Sequence, residues 1–331
     1  MTTASPLPVV RAADLQAPDE ERRWLIDSLW ARAGVGIVGG APKCCKSWLG
    51  LDMALSVASA TPCLGAFPVL ESGSVLLYMA EDSTAIVKER LTGLCCHRGL
   101  DLATLPIDVI TAPTVRLDLE RDQQRLAETV RQQQPRLLLL DPFVRLHRID
   151  ENHAGDVSAI LAYLRALQRQ YDLALVVVHH ARKNGPAGVQ AGQGLRGSGD
   201  FHAWGDSNLY LRRQQNHLLL TIEHRAAQAP DPLSLSLVHS ERGDDTHLEL
   251  AGTPTDDPKS RSPTAHTLGT DLMRVLAQAT QPLTRADLRA ALHVRNERLG
   301  EALQRLTTDG AICRHGQGWL PSPAAVPVPA L

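Results

Sequence analysis

Between residues 35 and 47 the chain reads Val-Gly-Ile-Val-Gly-Gly-Ala-Pro-Lys-Cys-Cys-Lys-Ser: an apolar run, a glycine turn, and a Lys-Ser pair that opens a helical pattern. That order is what a phosphate-binding loop requires. Backbone N–H groups of the loop and of the helix N-terminus face the anion, and the helix macrodipole favours it there. In the spacing G-x-x-x-x-G-K-[ST], Gly40 is the first glycine, and Ala41, Pro42, Lys43 and Cys44 fill the loop. Lys46 would bridge the β- and γ-phosphates of ATP and Ser47 would ligate Mg²⁺, with Trp48 next on the helix. One residue departs from the pattern. Cys45 stands where the second glycine belongs, and a side chain there crowds the loop and limits its dihedrals. The plain alternative is a glycine turn that only joins a strand to a helix, and the agreement of motif with context weighs against it.

Two further apolar runs end in acids. Leu137-Leu-Leu-Leu-Asp141 puts Asp141 where a carboxylate can hold Mg²⁺ through water, and Val75-Leu-Leu-Tyr-Met-Ala-Glu81 offers Glu81 as a general base for an attacking water. Taken singly, either is equally at home as a helix cap or a strand-end turn. Leu175-Val-Val-Val-His179-His180 ends in a histidine pair. His179 can donate or accept a hydrogen bond at a γ-phosphate, or it can be an ordinary satisfied core histidine. The loop that follows, 183–199, is rich in glycine and contains Arg196 and Ser198. Long glycine-rich loops after a central strand more often serve function than structure.

The elements that must position these residues follow from periodicity. Short aliphatic runs at 35–38, 74–79, 107–111, 137–140 and 173–178 alternate with helical spacing at 46–59, 83–98, 119–134 and 155–171. Fully apolar strands alternating with helices of this length predict an α/β fold, a mostly parallel sheet covered on both faces. Alternating runs at 217–224 and 233–238 predict an antiparallel extension of that sheet. The aromatic content of 4% makes the core aliphatic.

The 331 residues suggest two domains, and 44% hydrophobic against 21% charged residues excludes wholesale disorder. The expected organisation is a flexible segment 1–20, an ATPase domain 21–250, a linker 251–266, a small domain 267–320 and a disordered tail 321–331. A formal charge of −2 excludes a protein coated in basic surface. The N-terminus lacks the pattern of a signal peptide, and the uncharged run 53–70 is broken by two prolines and a glycine, so no membrane span is expected. Six cysteines without zinc-type spacing point to free thiols in a reducing cytoplasm.

Together, the loop 40–47, Glu81-Asp82, Asp141-Pro142, His179-His180-Ala-Arg-Lys183 and Leu195-Arg-Gly-Ser198 resemble the RecA-like, AAA_25-like P-loop ATPases related to the plasmid replicative helicase RepA. The resemblance spans roughly residues 20–240, and the Pro42-Lys43 pair matches this branch. It implies a RecA core assembled as a ring, usually a hexamer, with ATP sites between subunits. It further implies that Lys46 and Ser47 bind phosphate and Mg²⁺, that Glu81 activates water and that Asp141 orders Mg²⁺. His179 would couple nucleotide state to a DNA-facing loop, and Arg196, with Lys183, would reach a neighbour's γ-phosphate. Single-stranded DNA is the partner this resemblance implies, with replication proteins of a plasmid, phage or mobile element beside it.

The C-terminal stretch departs from that helicase. Helices near 270–279, 285–292 and 296–307, then short strands around 311–314 and 318–320, outline a winged helix-turn-helix. Residues 267–331 hold seven arginines against five acids, a net +2 that leaves −4 for the rest, and Arg295, Arg298 and Arg305 flank a leucine stripe. Phosphate contact and a solvated charged face both account for this. The sequence reading is thus a ring-forming, DNA-dependent ATPase, a helicase or translocase. The alternative is a nucleotide-gated DNA-binding regulator with little turnover. A nucleotide-monophosphate kinase lacks its second arginine-rich acceptor site here.

Overall fold

The computed structural model describes residues 7–14, 23–151, 153–180, 198–214, 217–239 and 245–251, and in the C-terminal region 272–277, 279, 281–292, 299–300, 303, 306–307, 311–315 and 318–322. The chain divides into two compact units, Met1–Thr253 and Pro254–Leu331.

In the first unit a hairpin of β1 (Trp24–Ile26) and β2 (Trp30–Ala31) precedes the main sheet. The sheet strands are β3 (Val35–Gly40), β4 (Val75–Met79), β5 (Ile107–Val109), β6 (Leu137–Asp141), β7 (Ala174–His180), β8 (Ser207–Gln214), β9 (His217–His224), β10 (Leu233–His239) and β11 (Thr246–Leu250). Among the described residues these form one sheet in the order β11-β10-β9-β8-β3-β7-β6-β4-β5. The six strands from β8 to β5 run parallel, and β9, β10 and β11 continue antiparallel from β8. This is the expected α/β sheet with its antiparallel extension, longer by β11.

Helices α1 (Lys46–Ser59), α2 (Thr84–Arg98), α3 (Glu120–Gln133), α4 (Ala154–Tyr171) and α5 (Ser198–Trp204) cover the sheet. Successive strand residues point to opposite faces, and each face has its own core. Val38, Leu77, Leu139, Val176 and Val178 pack with α1, α2 and leucines of β9 to β11. Ile37, Leu76, Leu138, Leu140, Leu175 and Val177 pack with α3, α4 and α5. Because both faces are buried, the strands carry no polar alternation and read as continuous apolar runs. Edge strand β11 packs on α1 and α2, so the extension curls back over that face.

A buried ion pair joins α1 to α2 on this face. Asp52 of α1 and Arg98 of α2 meet at 2.5 Å with side chains 3% and 11% exposed. The same guanidinium donates to Ser56 and Thr61, and Asp52 also accepts from the Leu64 amide at 2.8 Å and the Cys63 thiol at 3.2 Å. All six cysteines are free thiols. Among the described residues no helix is long and apolar enough to cross a membrane.

In the second unit a helical segment 272–277 and the helix Arg285–Leu292 are followed by helical positions at 299–300, 303 and 306–307. Strands Leu283–Thr284, Gly318–Pro321 and Ile312–His315 make an antiparallel sheet in that order. Leu272, Leu276, Leu288, Leu299, Leu303 and Ile312 form its core. Thr284 starts the helix by a reciprocal cap: the Asp287 amide donates to its hydroxyl at 3.3 Å, and its own amide donates to the Asp287 carboxylate at 3.0 Å. Arg295, Arg298 and Arg305 lie outside the described residues.

Candidate functional site

Strand β3 is buried along its length and ends at Gly40, where a Cβ would stand 2.3 Å from the Leu211 carbonyl oxygen of β8. Only glycine permits that approach, so packing against β8 dictates the first glycine of the motif. The chain then turns through Lys43 and Cys45, both left-handed at φ of 63° and 61°, and α1 begins at Lys46. Cys45 therefore adopts the conformation for which the motif ordinarily supplies glycine, at a cost of about 1–2 kcal/mol. Arg213 of β8 donates to the Lys43 carbonyl at 3.1 Å and ties the loop to the sheet. Burial pushes the Cys45 thiol above its ordinary pKa, which keeps it protonated. Cys45→Gly is expected to relieve the strain and raise the melting temperature by about 2–4 °C, the equivalent of about 1 kcal/mol. A lower melting temperature would mean that the packing of the thiol outweighs the strain.

Helix α1 has no side-chain cap at Cys45 and no acid in its first turn, so its leading N–H groups remain for an anion. Lys46 is 4% exposed, and its ammonium donates to the Ala41 carbonyl at 2.8 Å, folding back over the loop. Burial draws its pKa below the ordinary lysine value, against the pull of Asp141 and Glu81. Asp141 closes β6 beside Met79 of β4, with the Ser47 hydroxyl close enough to its carboxylate to favour the ionised form. It is 5% exposed, and its Oδ2 has no hydrogen-bond partner among the described residues. Burial pushes its pKa up to about 6, although the Ser47 hydroxyl and the nearby Lys46 oppose this. A buried carboxylate with one unpaired oxygen beside a serine hydroxyl is a donor set suited to Mg²⁺, so these residues fit that ion.

A cavity of about 310 Å³ lies over the helix end, lined by residues 43–48 and by Glu81, Asp82, Arg90, Asp141 and His180, among others. The structure thus brings together Lys43, Cys44, Cys45, Lys46, Ser47, Trp48, Glu81 and Asp141. Gly40, Ala41 and Pro42 lead into the loop. The Glu81 carboxylate is held by Arg145 at 2.8 Å, from the short 3₁₀ turn Phe143–Arg145 after β6. Asp82 pairs with Arg90 at 2.5 Å, and the Arg90 guanidinium lies 5.4 Å from the centre of the Trp48 ring. Arg90, Arg145 and Arg213 were missed because their partners are remote in sequence or follow no motif.

His179 differs from its expected place. It is 1% exposed, stacks on Phe201 with ring centres 4.2 Å apart and meets Phe143 edge-on, on the α3–α5 face of the sheet. His180 is the histidine that lines the cavity. Register explains the exchange: His180 pairs with Gly40 and follows Val176 and Val178 onto the α1 face, whereas His179 follows Leu175 and Val177. The period of two along β7 carried that signal. Arg196 and Lys183 lie outside the described residues.

Residues 2–186 match the model of the AAA_25 family, described as AAA domain, a span that includes the phosphate loop, Glu81, Asp141 and both histidines. Among solved structures the chain is similar to a DnaB-like replicative helicase, whose structure was described with its interactions with primase. The TM-score is 0.51 at 14% identity, covering 65% of this chain and 59% of that one. The RadB recombinase aligns with a TM-score of 0.47 at 17% identity, over 66% of this chain and 90% of that one. The chain therefore spans somewhat more than half of the helicase's length, and what the two share is the RecA-like fold.

Proposed function

The chain belongs to the AAA domain family AAA_25, and on that footing we propose that it is an ATP-hydrolysing motor of the RepA type that works on DNA. One observation carries the reading: buried Lys46 and Asp141 converge with Ser47 and Glu81 on one cavity over an uncapped helix N-terminus. In this reading the N–H groups of the first turn bind the phosphates, and Lys46 leaves the Ala41 carbonyl to donate to them. Ser47 and Asp141 hold Mg²⁺, which supplies charge neutralisation at the phosphates. Glu81 takes a proton from water as the water oxygen bonds to the γ-phosphorus and the bond to the ADP oxygen breaks. Arg145 has to release Glu81 for that transfer. His180 faces the space where the phosphates would sit, and His179 packs behind it on Phe201 and Phe143.

The finer parts of the proposal are a ring, in most cases a hexamer, on single-stranded DNA in the cytoplasm, replicating a plasmid, phage or mobile element alongside replication proteins. Arg196 is the residue proposed to complete a neighbour's site, and residues 267–320 are proposed to be a winged helix that contacts DNA. The helix-and-sheet content of the second unit supports this last reading.

The test is ATP hydrolysis measured with single-stranded DNA, duplex DNA and RNA, with mass determination on the same sample. Stimulation by single-stranded DNA and an oligomer in ATP and Mg²⁺ are expected. ATP binding without turnover under every condition would replace the motor with a nucleotide-gated regulator. Glu81→Gln is expected to bind ATP as wild type does and to lose about 10²-fold in turnover, as general-base deletions do. Unchanged turnover would remove Glu81 from the role.

A further inference from the structure

Helix α2 begins just after Glu81 and Asp82 and carries a second cluster about 20 Å away, at its other end. His97 is exposed in the last turn of α2, while Asp245 precedes and His247 lies within edge strand β11. One ligand atom from each of the three lies within 4.8 Å of the other two. The two imidazoles stack, with ring centres 3.4 Å apart and planes 17° from parallel. Nothing in the nucleotide chemistry uses these residues.

His247 is the informative member. It is 4% exposed, and its Nδ1 is buried with no hydrogen-bond partner among the described residues. Its other nitrogen, Nε2, lies 3.0 Å from the Glu249 carboxylate two residues along the strand. A neutral imidazole that donates Nε2–H to a carboxylate carries its lone pair on Nδ1. Glu249 thus selects the tautomer that leaves a buried, unpartnered lone pair, which is how metal-ligating histidines are oriented. An opening of about 550 Å³ is lined by His97, Arg98 and Glu249, so His97 and the residue that orients His247 both border it.

We propose that His97, Asp245 and His247 form a site for a divalent transition metal, Zn²⁺ foremost, with Glu249 positioning His247. Two imidazoles and one carboxylate suit Zn²⁺, and Co²⁺ as its spectroscopic stand-in, whereas Mg²⁺ and Ca²⁺ take oxygen-only sets. Three protein ligands leave one position for water. Closing the site needs the ligand atoms to draw from 4.8 Å to about 3.3 Å, the spacing set by zinc–ligand bonds of about 2.0 Å. For this the exposed His97 ring must leave its stack on His247 and turn until its in-plane lone pair faces the same point as Nδ1 of His247, a movement its position at the surface permits. A metal here pins the free edge of the curled sheet to α2, an effect independent of ATP.

The test uses the full chain, stripped with EDTA and titrated with Zn²⁺ against a colorimetric chelator, then with Co²⁺ for its visible spectrum. One equivalent of Zn²⁺ is expected, with a higher melting temperature in its presence. The Co²⁺ form is expected to show d–d absorption without the near-ultraviolet band of a thiolate ligand, which separates this site from the six cysteines. His97→Ala lies at the surface, so its metal-free form melts as wild type does. It is expected to lose at least about 100-fold in zinc affinity, together with the zinc-induced rise in melting temperature. Glu249→Gln weakens affinity about 10- to 100-fold. Wild-type zinc affinity in His97→Ala, a thiolate band, or no stoichiometric uptake each overturns the proposal.

Discussion

Replacing Asp141 by asparagine is expected to make the nucleotide-free protein melt higher at neutral pH while abolishing its turnover of ATP. The two effects share one cause. Burial raises the Asp141 pKa from the ordinary 3.8 to about 6, so the folded state prefers the neutral carboxyl. The stability this group contributes is fully present below its ordinary pKa and is lost as pH rises through about 6. Above that pH the fold carries an ionised carboxylate with a buried, unpaired oxygen. Two pKa units correspond to about 3 kcal/mol at most, and asparagine recovers about 1–3 kcal/mol of it, or about 2–4 °C for each. Melting curves of both proteins between pH 4 and 8 should coincide at the acid end and separate through the Asp141 titration. On the proposed role of Asp141 in holding Mg²⁺, the same substitution removes the ion's anionic ligand, with an expected loss on the order of 10³-fold in turnover. A variant that is no more stable than wild type at neutral pH, or that still turns over, would sink the assignment.

Asp52→Ala is expected to destabilise the first unit by about 3–5 kcal/mol, the range for leaving one partner of a buried ion pair alone. The substitution strands the Arg98 guanidinium at 11% exposure and removes the acceptor of the Leu64 amide. At about 2–4 °C for each kcal/mol the melting temperature falls by about 6–20 °C. Adding Arg98→Met should restore much of the loss, because an apolar replacement of both partners leaves no buried charge behind. A loss below about 1 kcal/mol in Asp52→Ala would show that the pair is solvated in solution.

The parallel sheet was legible because strands buried on both faces cannot carry polar residues, which is why 137–140 and 173–178 read as uninterrupted aliphatic runs. Strand β11 was not, since Thr246-His-Leu-Glu-Leu250 mixes polar groups into an edge position whose inner face meets α2. The β1–β2 hairpin and the two-residue strand Leu283–Thr284 are too short to show a period. In the site, Lys46, Ser47, Glu81 and Asp141 were legible because each sits at a fixed step from a strand end. The choice between His179 and His180 turned on which face α1 occupies, a property of the assembled sheet. Arg145, Arg90 and Arg213 had no signal of their own. They are surface-type residues that acquire their partners only when the strand ends are brought together.

Of the five tryptophans, Trp48 is the one that lines the nucleotide cavity among the described residues, with Arg90 poised over its indole and Asp82 holding Arg90 in place. Phosphates entering the cavity compete with Asp82 for that guanidinium. The electrostatic surroundings of the indole then change with every binding event, and with them the colour and yield of its emission. The emission of Trp48 is thereby expected to report occupancy in solution without a label, with Trp48→Phe giving the background of the other four tryptophans.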